Sequence, residues 1–508
     1  MIALSRRALL GLAGGIGVAA LTGCASDGPG TGQLLTSNRA LPEPFHIPLP
    51  IPPVAKSIRR DDTTDYYVVT QRAADVEILP GVRTTIWGYD GIFPGPTFVG
   101  RSGRAMVVTV RNELPVPTST HLHGGVTPPN SDGFPTDLVV PTGYNVHAGA
   151  HAHVGASTTG WQYHDKTKDY VYPMAQRGAT LWYHDHRMDF TAPQVWRGLA
   201  GAFIVRDDAE DQLGLPGGER DIPLFICDRA FAADGSLRYP SLDPTLTNPG
   251  VTEEFMPGVF GDVILVNGAP WPQLEVSNAR YRFRLINGSN ARRYQLRLST
   301  GGFTQIGSDG GLLAAPVEHT ALTIAPGERY DVVVDFSRYR IGEQITLINA
   351  LGEGRTADVM RFVVTRSEPD SSRVPAVLST VPKLAGSDAV ATRQFDFRWR
   401  DNQWTINGRS YDPTAVIATP KLDTVELWRF TSDFHHPVHL HLAQFQVLSR
   451  NGRAPLALDG GWKDTVDIRP YEVVEVLARF VGYRGRYMIH CHNLEHEDMA
   501  MMANFQVL

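Results

Sequence analysis

Ten of the 17 histidines in this 508-residue chain fall into four tight groups. They are HLHGG with His121 and His123, WYHDH with His184 and His186, HPVHLH with His436, His439 and His441, and HCHNLEHEDMAM with His490, His492 and His496. Alternate residues of a strand share a face, so each His-x-His places two imidazoles side by side. One such pair alone is as often a core or surface coincidence as a metal site. Four pairs together, two before residue 190 and two near the C-terminus, are a ligand set. Their eight same-face imidazoles are too many for one tetrahedral zinc, which closes with four ligands. They suit a cluster of several ions, and imidazole is a good ligand for copper.

The cysteine at 491 extends the argument. Within His490-Cys491-His492 it faces away from the flanking pair, so one strand can serve two metal centres whose ligands are neighbours in sequence. His496 follows Cys491 by five residues and Met501 by ten. A thiolate, two imidazoles and a weak axial thioether make a blue-copper electron-transfer site, with His436 as the distant second histidine. The competing reading, a zinc site of one cysteine and several histidines, leaves the other histidines unused.

These residues need strands to hold them. Val/Ile/Phe/Tyr-rich runs such as AMVVTVRNEL, GAFIVRD, YRFRLING, YDVVVDF, QITLINA, FQVLSR and EVVEVLARF recur between Gly, Pro, Asn and Asp clusters, which predicts an all-β chain of sandwiches or barrels. A chain of this length exceeds one core, at roughly 150 residues per domain. Polar breaks near 206–221 and 367–393 divide it into 61–210, 211–370 and 371–508. Pro-rich residues 25–60 read as a linker or extended strap. With 42% hydrophobic residues, 20% charged and a net charge of -6, the composition is that of a globular protein with no sign of nucleic-acid binding.

Residues 1–24 read as an export signal, with Arg6-Arg7 ahead of a short apolar run resembling a twin-arginine signal. LTGC, ending at Cys24, resembles a bacterial lipobox and implies a lipid-anchored terminus. The alternative is a cleaved signal with an incidental cysteine. Either way the expected location is the periplasm or cell envelope. Cys227, in IPLFICDRAF, reads as a small hydrophobe on a buried strand.

The four histidine groups, in this order and spacing, resemble the copper motifs of the multicopper oxidases, the laccase-like family of three cupredoxin domains. HLHGGVTPPNSDG, RGATLWYHDH, ILVNGAPWPQLEV, RFRLINGSNAR, QIGSDGGLL, GWKDT and HCHNLEHEDMAMM resemble the branch containing bacterial spore-coat laccase, bilirubin oxidase and phenoxazinone synthase. The resemblance implies three consecutive cupredoxin-like Greek-key domains, the middle one copper-free, and four copper ions. His436, Cys491 and His496 would hold the type 1 ion with Met501 axial, His121 and His439 the type 2 ion, and His123, His184, His186, His441, His490 and His492 the type 3 pair. It implies a monomeric oxidase that takes electrons singly from phenols, aromatic amines or tetrapyrroles and reduces dioxygen to water. The rival function is an envelope protein that oxidises or sequesters cuprous ion, though a Met-rich insert is missing from the 10 methionines present. Reducing dioxygen to water consumes protons, and Glu497 and Asp132 match acidic positions near the cluster in that branch.

Two features depart from the family pattern. Cys227 has no partner for the middle-domain disulfide of spore-coat laccases, and YNVHAGAHAHVGAS adds His147, His151 and His153. That insert is either a copper-acquisition or substrate-rim loop or a solvated loop. His435 stands beside His436 as a rival ligand, and the His-Pro spacing favours His436.

Overall fold

The computed structural model describes residues 31–144 and 160–508. The signal with Arg6, Arg7 and Cys24, and the insert with His147, His151 and His153, lie outside the described residues. The all-β expectation holds: strands account for 49% of the chain and the helices are short.

The larger sheets form three successive pairs, five- and four-stranded, then eight- and five-stranded, then two of five strands each. Each pair repeats one device. Thr64–Glu77 runs parallel to Ala105–Asn112 and Gly95–Arg101 parallel to Ala200–Arg206. Asp221–Phe231 pairs likewise with Arg280–Asn287, and Gln273–Ser277 with Asp358–Arg366. In the last pair Ala389–Arg400 runs along Thr424–Ser432 and Val416–Ala418 along Met502–Val507. Parallel neighbours cannot be joined by a hairpin, so each pair is closed by crossovers into a Greek-key sandwich of cupredoxin type.

Each sandwich encloses its own core. Tyr67, Val108, Phe98 and Phe203 fill the first, and Trp428, Phe430, Phe480 and Phe505 the last. Ala105–Asn112 alternates buried and half-buried positions as a one-faced strand should. Ala179–Asp185 is instead buried throughout. Its Leu181 and Tyr183 join the first core, while Trp182, on the other face, packs with the middle domain. His184 shares that second face, which is why a polar ring sits on a fully buried strand.

The Pro-rich segment is a docked strap. Gln33–Leu35 pairs in parallel with Val259–Gly261 of the middle domain. Leu49 N–H then donates to Gln273, Ala55 N–H donates to Thr97, and Arg59–Arg60 joins the first sheet. Cys227 is fully buried in the middle core, unpaired among the described residues, and burial pushes its thiol up to about 11.

Candidate metal centre

Two strand pairs from opposite ends of the chain build the site. Thr120–His123 lies antiparallel to Ala179–Asp185 with His121 opposite His184 and His123 opposite Trp182. In the last domain His436–Leu440 lies against Gly485–Cys491, with His439 opposite His490 and Val438 opposite Cys491. The two-residue period therefore sorts the ligands: His439, His441, His490 and His492 turn to the first domain, and His436 and Cys491 turn to the core of the last. His439 Nε2 comes within 3.4 Å of His121 Nε2 although 318 residues separate them.

All eight imidazoles converge. Ligand atoms of His121, His123 and His184, of His121, His439 and His441, and of His186, His441 and His490 lie within 4.8 Å of one another in each trio. His492 completes the group, its ring 4.9 Å from His123 and 5.4 Å from His184. Close packing of rings requires a residue without a side chain at Gly327, where a Cβ would meet His123 and His492 at 3.0 Å and φ is +85°.

On the opposite face His436 Nδ1 lies 3.3 Å from Cys491 Sγ, His496 Nδ1 3.6 Å from the sulfur, and the two nitrogens 3.1 Å apart. His496 reaches this position because Asn493 caps the helix Leu494–Asp498 and turns the chain back. Met501 is fully buried in the same cluster, its carbonyl accepting from Cys491 N–H at 3.1 Å. His435 is turned away, with its Nδ1 3.9 Å from Asp467.

The donors suit copper. Burial holds His121, His123, His186, His441, His492 and His496 well below the usual histidine range and brings His184 to about 3, so these rings are neutral and their lone pairs free. Nitrogens of His123, His184, His186 and His492 are buried with no hydrogen-bond partner among the described residues, a cost that a bound cation removes. Outer contacts select which nitrogen faces inward. His121 and His439 give Nδ1 to the carbonyls of Asp132 and Asp464, His441 gives Nδ1 to Asp132 Oδ2 at 2.7 Å, and His123 gives Nε2 to Asp464 Oδ1 at 3.1 Å. Burial pushes the Cys491 thiol well up, so its thiolate forms only by exchanging the proton for a cation.

Both acids named from the sequence sit at the cluster. Glu497 lies 3.1 Å from His186 Nδ1 through one oxygen and 3.1 Å from His490 Nδ1 through the other. Asp132 is fully buried, and burial raises its carboxyl to about 6. Three further residues carried no assigned role in the sequence. Asp464 contacts His123 and His439; GWKDT marked the motif but not the contact. Arg329 binds Asp464, and Trp404 stacks on His496 at 3.7 Å. A lone arginine or tryptophan on a strand gives no local signal for either.

Models of the multicopper oxidase family match residues 70–168 and 155–210, 248–358 and 384–508. A laccase of Bacillus subtilis is 38% identical across 92% of this chain and 98% of its own length. A bilirubin oxidase of Albifimbria verrucaria is 36% identical across 91% of this chain and 81% of its own. Among solved structures, a laccase from Pediococcus acidilactici matches with a TM-score of 0.81 at 31% identity, covering 94% of this chain and 96% of that one.

Proposed function

We propose, for this chain, which belongs to the multicopper oxidase family, that His436, Cys491, His496 and Met501 hold one type 1 copper. His121 and His439 hold one type 2 ion, and His123, His184, His186, His441, His490 and His492 hold a type 3 pair. The protein is a laccase-like copper oxidoreductase that couples oxidation of a reducing substrate to reduction of dioxygen to water. The observation that carries the copper assignment is the opposed facing of Cys491 and its two flanking histidines.

Copper supplies a one-electron acceptor at the Cys491 set and a multi-electron centre for dioxygen at the histidine cluster. The chain supplies the rest. Cys491 and its neighbours have Cα atoms about 3.8 Å apart, so one peptide segment joins the two sets covalently. Burial of all the ligand side chains keeps bulk water and partly reduced oxygen apart from the organic donor. Glu497 stands beside His186 and His490 through its two oxygens, and Asp132 beside His441; from these positions both relay protons as water forms.

Phenols, aromatic amines and tetrapyrroles are the donors this reading favours, supported by similarity to laccases and a bilirubin oxidase. Oxidation or sequestration of cuprous ion is no better supported by the relatives. The protein works as an exported monomer of the cell envelope, anchored through a lipid on Cys24. Changing Cys24 to Ala is expected to move active enzyme from the membrane fraction to the soluble one. Oxygen uptake by copper-loaded protein with phenols, bilirubin, ferrous and cuprous ions, alongside metal analysis, tests the activity. Binding of a single zinc without blue absorption would refute it.

A further inference from the structure

The type 1 set is sealed. His436, Cys491, His496 and Met501 are each 0% exposed, so an organic donor touches none of them. The outer edge of His496 is also occupied: its Nε2 donates to the Pro257 carbonyl at 3.0 Å, and Asn493 Nδ2 lies 3.3 Å away. The face of the ring is covered by Trp404, stacked at 3.7 Å with the planes 26° apart. Trp404 also stands edge-on to His436 at 5.6 Å.

Trp404 leads outward. It is 2% exposed and meets Trp399 edge to face at 4.7 Å and Phe434 at 5.5 Å, both half-buried at the surface. Among the described residues the buried Trp404 indole N–H has no hydrogen-bond partner, so aromatic contacts and not a polar anchor hold the ring here. A continuous path of three stacked or edge-on rings thus runs from the surface to a ligand of the Cys491 set. Indole is among the side chains most readily oxidised by one electron, and its π-system overlaps the imidazole face.

We propose that Trp399 and Trp404 are the electron entry of this enzyme for aromatic donors that lie against Trp399. The inference rests on the type 1 assignment given above. The donor loses one electron, and a phenol its hydroxyl proton to water. The electron passes from Trp399 through Trp404 to His496 and is taken up at the Cys491 set by cupric ion, which becomes cuprous. Both indoles end as they began, and no bond in the protein forms or breaks.

The test uses full-length, copper-loaded protein carrying Trp404→Phe, Trp404→Leu or Trp399→Leu. Blue absorbance and the paramagnetic resonance spectrum are recorded first, and each is expected to match the parent in Trp399→Leu, which touches no ligand. Anaerobic rapid mixing with 2,6-dimethoxyphenol then reads the rate at which the blue colour bleaches. We expect a fall of about tenfold in Trp404→Leu, equivalent to about 1.4 kcal/mol of barrier, an intermediate rate in Trp404→Phe, and a clear fall in Trp399→Leu. Where Trp404→Leu loses its copper, Trp399→Leu alone decides. Blue variants that bleach at the parental rate overturn the relay and leave the copper assignment standing. A parent chain that binds copper without any blue band overturns the assignment and the relay with it.

Discussion

Arg329 of the middle domain donates to both oxygens of Asp464 in the last, through Nη1 at 2.7 Å and Nη2 at 2.6 Å. Arg329 Nε also donates to the Thr180 carbonyl at 3.0 Å, so one side chain ties all three domains beside the cluster. A domain that offers no imidazole to the cluster thereby sets the orientation of His123 and His439. Asp464→Asn preserves shape but leaves the fully buried Arg329 short of its main counter-charge, at a cost of about 3–5 kcal/mol. Thermal unfolding is expected to shift down accordingly, with the type 2 paramagnetic signal altered and the blue band kept. An unchanged melting temperature and signal would remove the clamp.

Replacing Cys491 by Ser exchanges a soft thiolate for a hydroxyl without touching the histidines on the opposite face. The expected protein is colourless, retains copper at the histidine cluster and has no oxidase turnover. Absorption spectroscopy, metal analysis and oxygen uptake check each part, and substantial turnover would contradict the assigned path.

Glu497→Gln keeps the contacts to His186 and His490 but removes the carboxyl oxygen that could take up and pass on a proton. Copper content and reduction of the type 1 site should be unaffected, while turnover slows by about tenfold or more, the low end for a lost general acid. The measurement is steady-state oxygen uptake against pH on fully loaded protein. A rate and profile identical to the parent would assign the proton supply elsewhere.

Asp189 offers a test of pH dependence away from the ligands. Both its oxygens are buried with no hydrogen-bond partner among the described residues, and burial raises its carboxyl from 3.8 to about 7 with the Arg187 guanidinium opposing. The folded state therefore binds the proton more tightly than the unfolded chain between these values, so stability falls as pH rises and the cost is complete above pH 7. Asn tolerates the positive φ of 68° at this position and carries no charge. Asp189→Asn should melt higher than the parent at pH 8, with the advantage growing between pH 5 and pH 7 by about 1.4 kcal/mol per unit of pH and levelling off above. A difference in melting temperature that stays constant across that range would show that Asp189 is not held protonated.

The amino-acid sequence by itself determined the inventory of candidate ligands and their sorting into faces. Strand periodicity is local, so the pairing of His121 with His123, or of His490 with His492 against Cys491, is legible from spacing alone. Asp132 and Glu497 came from the motifs that surround those pairs. What only the tertiary structure decided is which faces meet. The approach of His121 to His439 across 318 residues depends on how two sandwiches dock, as does the stacking of Trp404 on His496. Arg329 on Asp464 and Pro257 on His496 likewise join the middle domain to the last, the first through an outer contact of His123 and His439 and the second at a candidate ligand. The docked course of the strap along Val259–Gly261 belongs to the same class. Such contacts depend on packing between whole domains, and no residue near either partner in the chain records them, because the free energy that fixes them is spread over the interfaces rather than carried by a local pattern.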